Sequence, residues 1–240
     1  MKEYLLYLES GPKRKKTQVH VLELLGCTAQ GATTDEALQA TPEAIRSYLR
    51  FLQRCGESVD PAATFSTTVA EHVMQGAWLG NGDPTPGFGP DFQPLSPEEL
   101  AVGLRRLERM QADLQELVAG LTPAQLAAQP ESGRSIERIL GHVAVSYYNY
   151  VHGIVGKIDG ASAALKAIPQ EPQGARANPA ALPPLWQAVN ARLAALSEDE
   201  RTLPSQHSQV TWTARRGLRR SLEHAWEHLL EISRRLGLQA

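Results

Sequence analysis

Cysteine is nearly missing from this chain. Its 240 residues include only Cys27 and Cys55. These are too few and too far apart for a disulfide framework or a sulfur-based zinc site, and both are expected as reduced thiols in a cytoplasmic protein. Long apolar runs are also missing. No stretch approaches the roughly 20 residues that cross a bilayer, so no membrane partner is expected. The opening Met1-Lys2-Glu3-Tyr4-Leu5-Leu6-Tyr7 is a short apolar run between charges, not a secretory signal. Neither sign of charge dominates: the net charge is -2, and residues 1–75 hold eight Lys/Arg against nine Asp/Glu. Without a concentrated positive surface, no nucleic-acid partner is expected. The remaining composition, 42% hydrophobic and 21% charged, suits a globular protein with ample core. The length favours one large or two small domains.

A break in composition divides the chain. Residues 76–94 read GAWLGNGDPTPGFGPDFQP, dense in Gly and Pro and without periodicity. They predict a linker or ordered connection. Its Trp78, Phe88 and Phe92 suggest packing against a domain. Residues 1–75 read as a small domain of order β-β-β-α-β. Lys2–Glu9 and Thr17–Leu25 are strand-like, joined by the basic turn Lys13–Lys16, a solvated hairpin tip. Thr28–Gly31 reads as a short third strand. Thr34 is expected to cap a helix reaching about Arg54, with Pro42 kinking or restarting it. Phe65–Met74 alternates as a last strand.

Residues 95–240 read as helices. Ser96-Pro97-Glu98-Glu99 is a capping box with proline at the first helical position. Leu100, Leu104, Leu107, Gln111, Leu114, Val118 and Leu121 then recur at steps of four and three, a bundle seam with one polar interruption at Gln111. A second helix is expected over about Ser135–Lys157, a third over about Pro184–Leu196 and a fourth over about Thr213–Leu236. A long crossover fills residues 156–184. The fold class is therefore α+β with two domains, a small mixed domain followed by an all-α four-helix bundle.

Histidine supplies the candidate chemistry. His224 and His228 lie four apart on the fourth helix, so their rings stack on one face. Each precedes a seam residue, Ala225 or Leu229, and His142 holds the same shoulder position before Val143 on the second helix. Three neutral imidazoles from two helices suit a divalent metal with open positions. A lone His-x-x-x-His is weak evidence, and surface histidines are the simpler reading. Arg216 and Arg220 continue the His224/His228 row. Arg220 is a candidate for receiving an anionic group of a cofactor or ligand; a salt-bridged surface with Arg219–Glu223 is the simpler alternative. Glu223 and Glu227 read as exposed helix charges, with acceptors behind the ligand histidines or bases as the alternatives. Tyr147 and Tyr148 read as core or rim, His152 as facing elsewhere, and His207 as lying in a loop. No catalytic residue is identified.

Arg134 to Val143, RSIERILGHV, and Trp212 to His228, WTARRGLRRSLEHAWEH, resemble the second- and fourth-helix motifs of the DinB/YfiT-like metalloenzymes. The resemblance covers about Leu95–Leu236. It implies that His142, His224 and His228 hold a divalent metal, zinc or nickel foremost, with iron or manganese as alternatives. It also implies a low-molecular-weight thiol as possible cosubstrate, a small-molecule substrate, and either thiol S-transfer or hydrolysis. Arg134 departs from the pattern, in which many members have Trp. Monomer and homodimer both stay open.

Val19 to Leu38, VHVLELLGCTAQGATTDEAL, resembles the HicB-like antitoxin fold, over about Met1–Met74. Leu25 stands where that pattern has Pro, Pro42 interrupts the helix, and no DNA-binding segment follows, so DNA binding and toxin neutralisation are not implied. Cys27 reads as a small buried turn residue. The leading expectation is a metalloenzyme. The alternatives are a non-catalytic metal-binding regulatory or partner-binding protein and, more remotely, an antitoxin-like partner of a small ribonuclease.

Overall fold

The computed structural model describes residues 1–11, 16–76, 79–80, 87–205, 207 and 210–238. These form two compact units. One is Met1–Gln93 with Leu222–His224; the other is Pro94–Ser221 with Ala225–Ala240.

The first unit carries β1 (Lys2–Ser10), β2 (Thr17–Val21), β3 (Cys27–Gly31), α1 (Thr34–Arg54) and β4 (Phe65–Val73), the order the sequence predicts. The sheet order is β3-β2-β1-β4. β1 pairs antiparallel with β2, and β2 with β3. β4 returns parallel to β1, which requires the crossover that α1 supplies. A register shift opposite Leu6/Tyr7 bulges β4. β3 starts at Cys27, one residue earlier than predicted, because Cys27 pairs with Val21. The helix cap is Thr33, not Thr34: the Thr33 hydroxyl accepts from the Glu36 amide at 3.2 Å. The Thr34 hydroxyl instead lies 3.0 Å from that of Thr17. Pro42 does not restart the helix, which runs unbroken through it. Ala37 precedes the proline; Ile45, Tyr48, Leu49 and Leu52 follow it, and all are buried. Tertiary packing therefore overrides the missing amide donor.

Cys27 is buried at 1% exposure, and burial pushes its thiol well above the ordinary range. Of the aromatic residues in the Gly/Pro-rich segment, Phe88 is fully buried, with ring centroids 5.5 Å from Tyr7 and 5.2 Å from His20. Phe92 is 46% exposed, contrary to the expected packing. Trp78 and the hairpin tip Lys13–Lys15 lie outside the described residues.

The second unit contains four long helices: α2 (Pro97–Val118), α4 (Ile136–Val155), α6 (Leu182–Ala194) and α8 (Ala214–Arg235). Short elements fill the connections: α3 (Pro123–Ala127), α5 (Ala161–Lys166), the hairpin β5 (Gln170–Glu171) and β6 (Gly174–Ala175), and α7 (Glu198–Thr202). The Ser96/Glu99 capping box is formed, with bonds of 3.0 and 3.1 Å. On α2, Leu100, Leu107, Gln111, Leu114 and Val118 are buried. Leu104 and Leu121 are half-buried, and Gly103 and Met110 share the buried side. Each fully buried leucine contributes about 1.5–3 kcal/mol. The polar interruption is answered from two helices. Asn190 on α6 exchanges bonds with the Gln111 amide at 2.9 and 3.3 Å and accepts from the Tyr147 hydroxyl on α4 at 2.7 Å.

Several glycines let this unit close, Gly103, Gly141 and Gly217 among them. A Cβ on Gly103 would lie 2.6 Å from the Leu218 side chain, and one on Gly217 would lie 2.3 Å from that of Ile154. At Gly141 the obstacle is backbone, with a Cβ 2.6 Å from the Ala175 carbonyl carbon and 2.7 Å from the Arg176 nitrogen. Backbone yields less readily than a side-chain tip. Gly141→Ala should therefore lower stability by about 1–3 kcal/mol, the usual cost of overpacking, even though alanine is the better helix former by about 1 kcal/mol. Urea unfolding of the variant beside the native chain measures this; an unchanged or raised midpoint would contradict the packing argument.

Candidate metal centre

The candidate ligands stand on two helices. Ser135 holds the N-cap position of α4, and His142 lies two turns further on. Ile139 and Val143, which flank it, are buried and fix which side of α4 faces inward. On α8 the buried residues Leu222, Ala225, Leu229 and Ile232 do the same for His224 and His228. The structure brings all three histidines together. One ring nitrogen of each lies within 4.8 Å of those of the others. The His142 and His228 ring centroids are 5.2 Å apart, with the rings perpendicular. His224 is buried, and the His228 side chain is 12% exposed.

The donor set suits a metal. A tetrahedral ion with Zn–N bonds of about 2.0–2.1 Å needs its nitrogens roughly 3.3–3.5 Å apart, a contraction small enough for side-chain rotation. His142 is held in the metal-binding form. Burial first, then the positive charge of Arg134, lowers its pKa from 6.5 to about 4, so it is neutral at pH 7. Arg134 is the departure from the family motif, and its charge reaches the site.

A residue that the sequence reading missed orients His228. Its Nδ1 donates to Glu231 Oε2 at 2.7 Å, which leaves Nε2 as the nitrogen with a free lone pair. The bond to His228 is the largest cause holding the Glu231 carboxyl below its usual range, and Arg235 adds to it. Arg235 also bonds Glu231 directly. This carboxylate–imidazole arrangement fixes tautomer and ring orientation. The signal was available: Glu231 follows His228 by three residues, one turn along the same face.

The other polar residues of α8 fall differently from expectation. Every residue from Arg216 to Trp226 is buried. Arg216, Arg219 and Arg220 are 2%, 1% and 1% exposed, so the salt-bridged surface is overturned. The Arg216 guanidinium lies 5.2 Å from the Trp212 ring and donates to the Thr211 carbonyl at 2.7 Å. Arg220, one turn before His224, stacks over Tyr150 at 5.7 Å. Aromatic faces compensate part of the desolvation of these cations. Glu223 is buried rather than exposed and accepts from His20 Nδ1 at 2.8 Å. Glu227 is half-buried. Tyr147 is core and Tyr148 half-buried. His152 stacks near Tyr148, with centroids 5.6 Å apart, His207 lies against Gly156, and His72 Nε2 is 2.7 Å from Ser10 Oγ.

Residues 106–232 match the DinB superfamily, a span that contains all three histidines. No curated protein and no solved structure matches the chain.

Two measurements bear on this geometry. In metal-free protein, His142 has a folded pKa of about 4 against an ordinary 6.5. The unfolded chain then binds more protons between those values. The stability due to neutral His142 is present above pH 6.5 and lost as pH falls towards 4. Urea unfolding between pH 7 and pH 4 should show this loss, at most about 3 kcal/mol, and His142→Asn should flatten the slope; an equal slope in both proteins would refute it. Glu231→Gln should weaken metal affinity about 10–100-fold by loosening His228. Competition with a chromophoric chelator reads this, and unchanged affinity would remove Glu231 from the site.

Proposed function

This chain belongs to the DinB superfamily, and on that premise we propose that it is a metal-dependent enzyme whose divalent ion is held by His142, His224 and His228. The observation that carries the reading is the convergence of one nitrogen from each histidine, within 4.8 Å of the others. Three protein ligands leave at least one position for a small molecule, whereas closed structural zinc sites have four. Zinc or nickel suits three imidazoles best, with iron or manganese as alternatives. Such an ion lowers the pKa of a coordinated thiol or water towards neutrality, the chemistry of thiol S-transfer or of hydrolysis.

The chain's own residues supply the rest. Neutral His142 enters the site without a proton to displace at pH 7. Glu231 keeps the His228 proton at Nδ1 and steadies the ring. Arg220, on the same row as His224, would orient an anionic group of a thiol cosubstrate or substrate.

The reading assigns residues 95–240 to a metal-binding four-helix bundle, residues 76–94 to a connection, and residues 1–75 to a HicB-like domain, in a cytoplasmic protein. The β-β-β-α-β order with the β3-β2-β1-β4 sheet supports the last assignment. It also keeps a second reading alive, a metal-bound scaffold whose first domain binds a partner.

His228→Ala, made in protein purified without a histidine tag, separates catalytic from structural metal. The native chain should carry about one equivalent of divalent metal and conjugate a thiol to an electrophile or hydrolyse a test ester. The variant should lose metal and turnover yet unfold at nearly the same temperature, because the apolar core on α4 and α8 holds the helices without metal. Unfolding on metal removal would make the site structural. Bound metal without turnover in either screen would favour the scaffold.

A further inference from the structure

We propose that β4 is the dimerisation edge of this protein, pairing antiparallel with β4 of a second copy about a two-fold axis at Thr67. This goes beyond the metal-site reading and does not depend on it.

β4 is the end strand of the β3-β2-β1-β4 sheet. Among the described residues, one of its sides is paired, to β1. Among the described residues, the backbone of Phe65–Ala70 makes no further hydrogen bond on its outer side. Thr67, Thr68, Val69 and Ala70 are all exposed, and Val69 is 44% exposed. Edge strands of soluble proteins are ordinarily blunted by lysine, proline, inward charge or a β-bulge, and β4 has its bulge only at Ala70, past residues 65–69. Phe65-Ser66-Thr67-Thr68-Val69-Ala70 has no lysine, proline or charge. It is rich in β-branched and aromatic residues, which favour strand pairing.

The sequence is also self-complementary in one register. With Thr67 on a two-fold axis, Phe65 of each copy lies opposite Val69 of the other, and Ser66 opposite Thr68. The pairing thus sets two aromatic–β-branched pairs around a hydroxyl pair, with no charge facing a like charge. Phe65, Thr67 and Val69 pair with Lys2, Tyr4 and Leu6 of β1 before the register shift, so the three share one face of the sheet. The bulge follows at Ala70 and limits the pairing to these five residues. Glu71 and His72 lie beyond it. The Phe65 ring is already held by Tyr4, edge to face at 5.4 Å, and by the Arg46 guanidinium at 5.1 Å, so little side-chain freedom remains to be lost on pairing. An isologous contact of this kind closes on itself at two copies.

The test uses the full-length protein in sedimentation velocity across the micromolar range. The native chain should sediment as a dimer. Thr67→Lys and Thr67→Glu each place two like charges face to face on the axis, and each should weaken dimerisation at least tenfold. Because Thr67 is exposed, neither should change the melting temperature of the monomer. An equimolar mixture of the two variants should recover the dimer, since only a two-fold axis at this residue sets lysine against glutamate. A monomeric native chain would overturn the proposal. So would a dimer that survives both substitutions, or a mixture that stays monomeric.

Discussion

The depth to which α8 packs into the second unit is the constraint on which the candidate site depends. Two places where a side chain is absent set it. Gly103 on α2 leaves room for Leu218, and Gly217 on α8 leaves room for Ile154 on α4. A methyl group at either place would have to displace an aliphatic side chain from a core already packed to crystal-like density. Imidazole nitrogens reach only a few ångströms from the backbone. Helices forced apart by a side-chain layer would hold His142 away from His224 and His228, however well the sequence spaced them. Gly141 plays the corresponding part on α4, admitting the chain at Ala175 directly beside His142.

Charge around the three rings is graded. Arg134 and burial discourage protonation of His142, whereas Glu231 accepts the proton that His228 keeps at Nδ1. Two of the clustered histidines are thus held in different ways. His142 is kept unprotonated by its surroundings, and His228 is oriented by a carboxylate. Arg235 limits the excess negative charge of Glu231 from the far side. The residues that do this lie one or two turns from the histidines they act on.

Much of this was legible in the sequence, for physical reasons that differ by element. The α2 seam and its capping box were readable because amphipathic spacing and cap chemistry are local properties. The His142, His224 and His228 grouping was readable because each sits at the same offset from a buried seam. Glu231 was passed over although its spacing from His228 was visible; Glu223 and Glu227 drew attention by sitting beside the histidines, whereas neighbours on a helix surface are three or four residues away. Arg216, Arg219 and Arg220 were misread as surface because charge normally marks solvent. Nothing local says that aromatic faces such as Trp212 and Tyr150 wait for the guanidinium groups. The unbroken α1 at Pro42 failed in the same direction: a local rule gave way to burial on both sides of the residue.

The buried arginines run against another local rule as well. Arg216, Arg219 and Arg220 stand in the first two turns of α8, where the helix dipole disfavours positive charge. A structural role alone would be met at lower cost by leucine or methionine, since exchanging buried ionic groups for apolar ones is often neutral or stabilising. The distribution along α8 is therefore informative. Its first half concentrates buried cations, its middle carries the histidines with the buried carboxylate Glu223, and its last turns carry Glu231 beside Arg234 and Arg235. Burial of these charges, with the Trp212 ring beside Arg216 and the Tyr150 ring beside Arg220, is a cost that the packing of α8 carries.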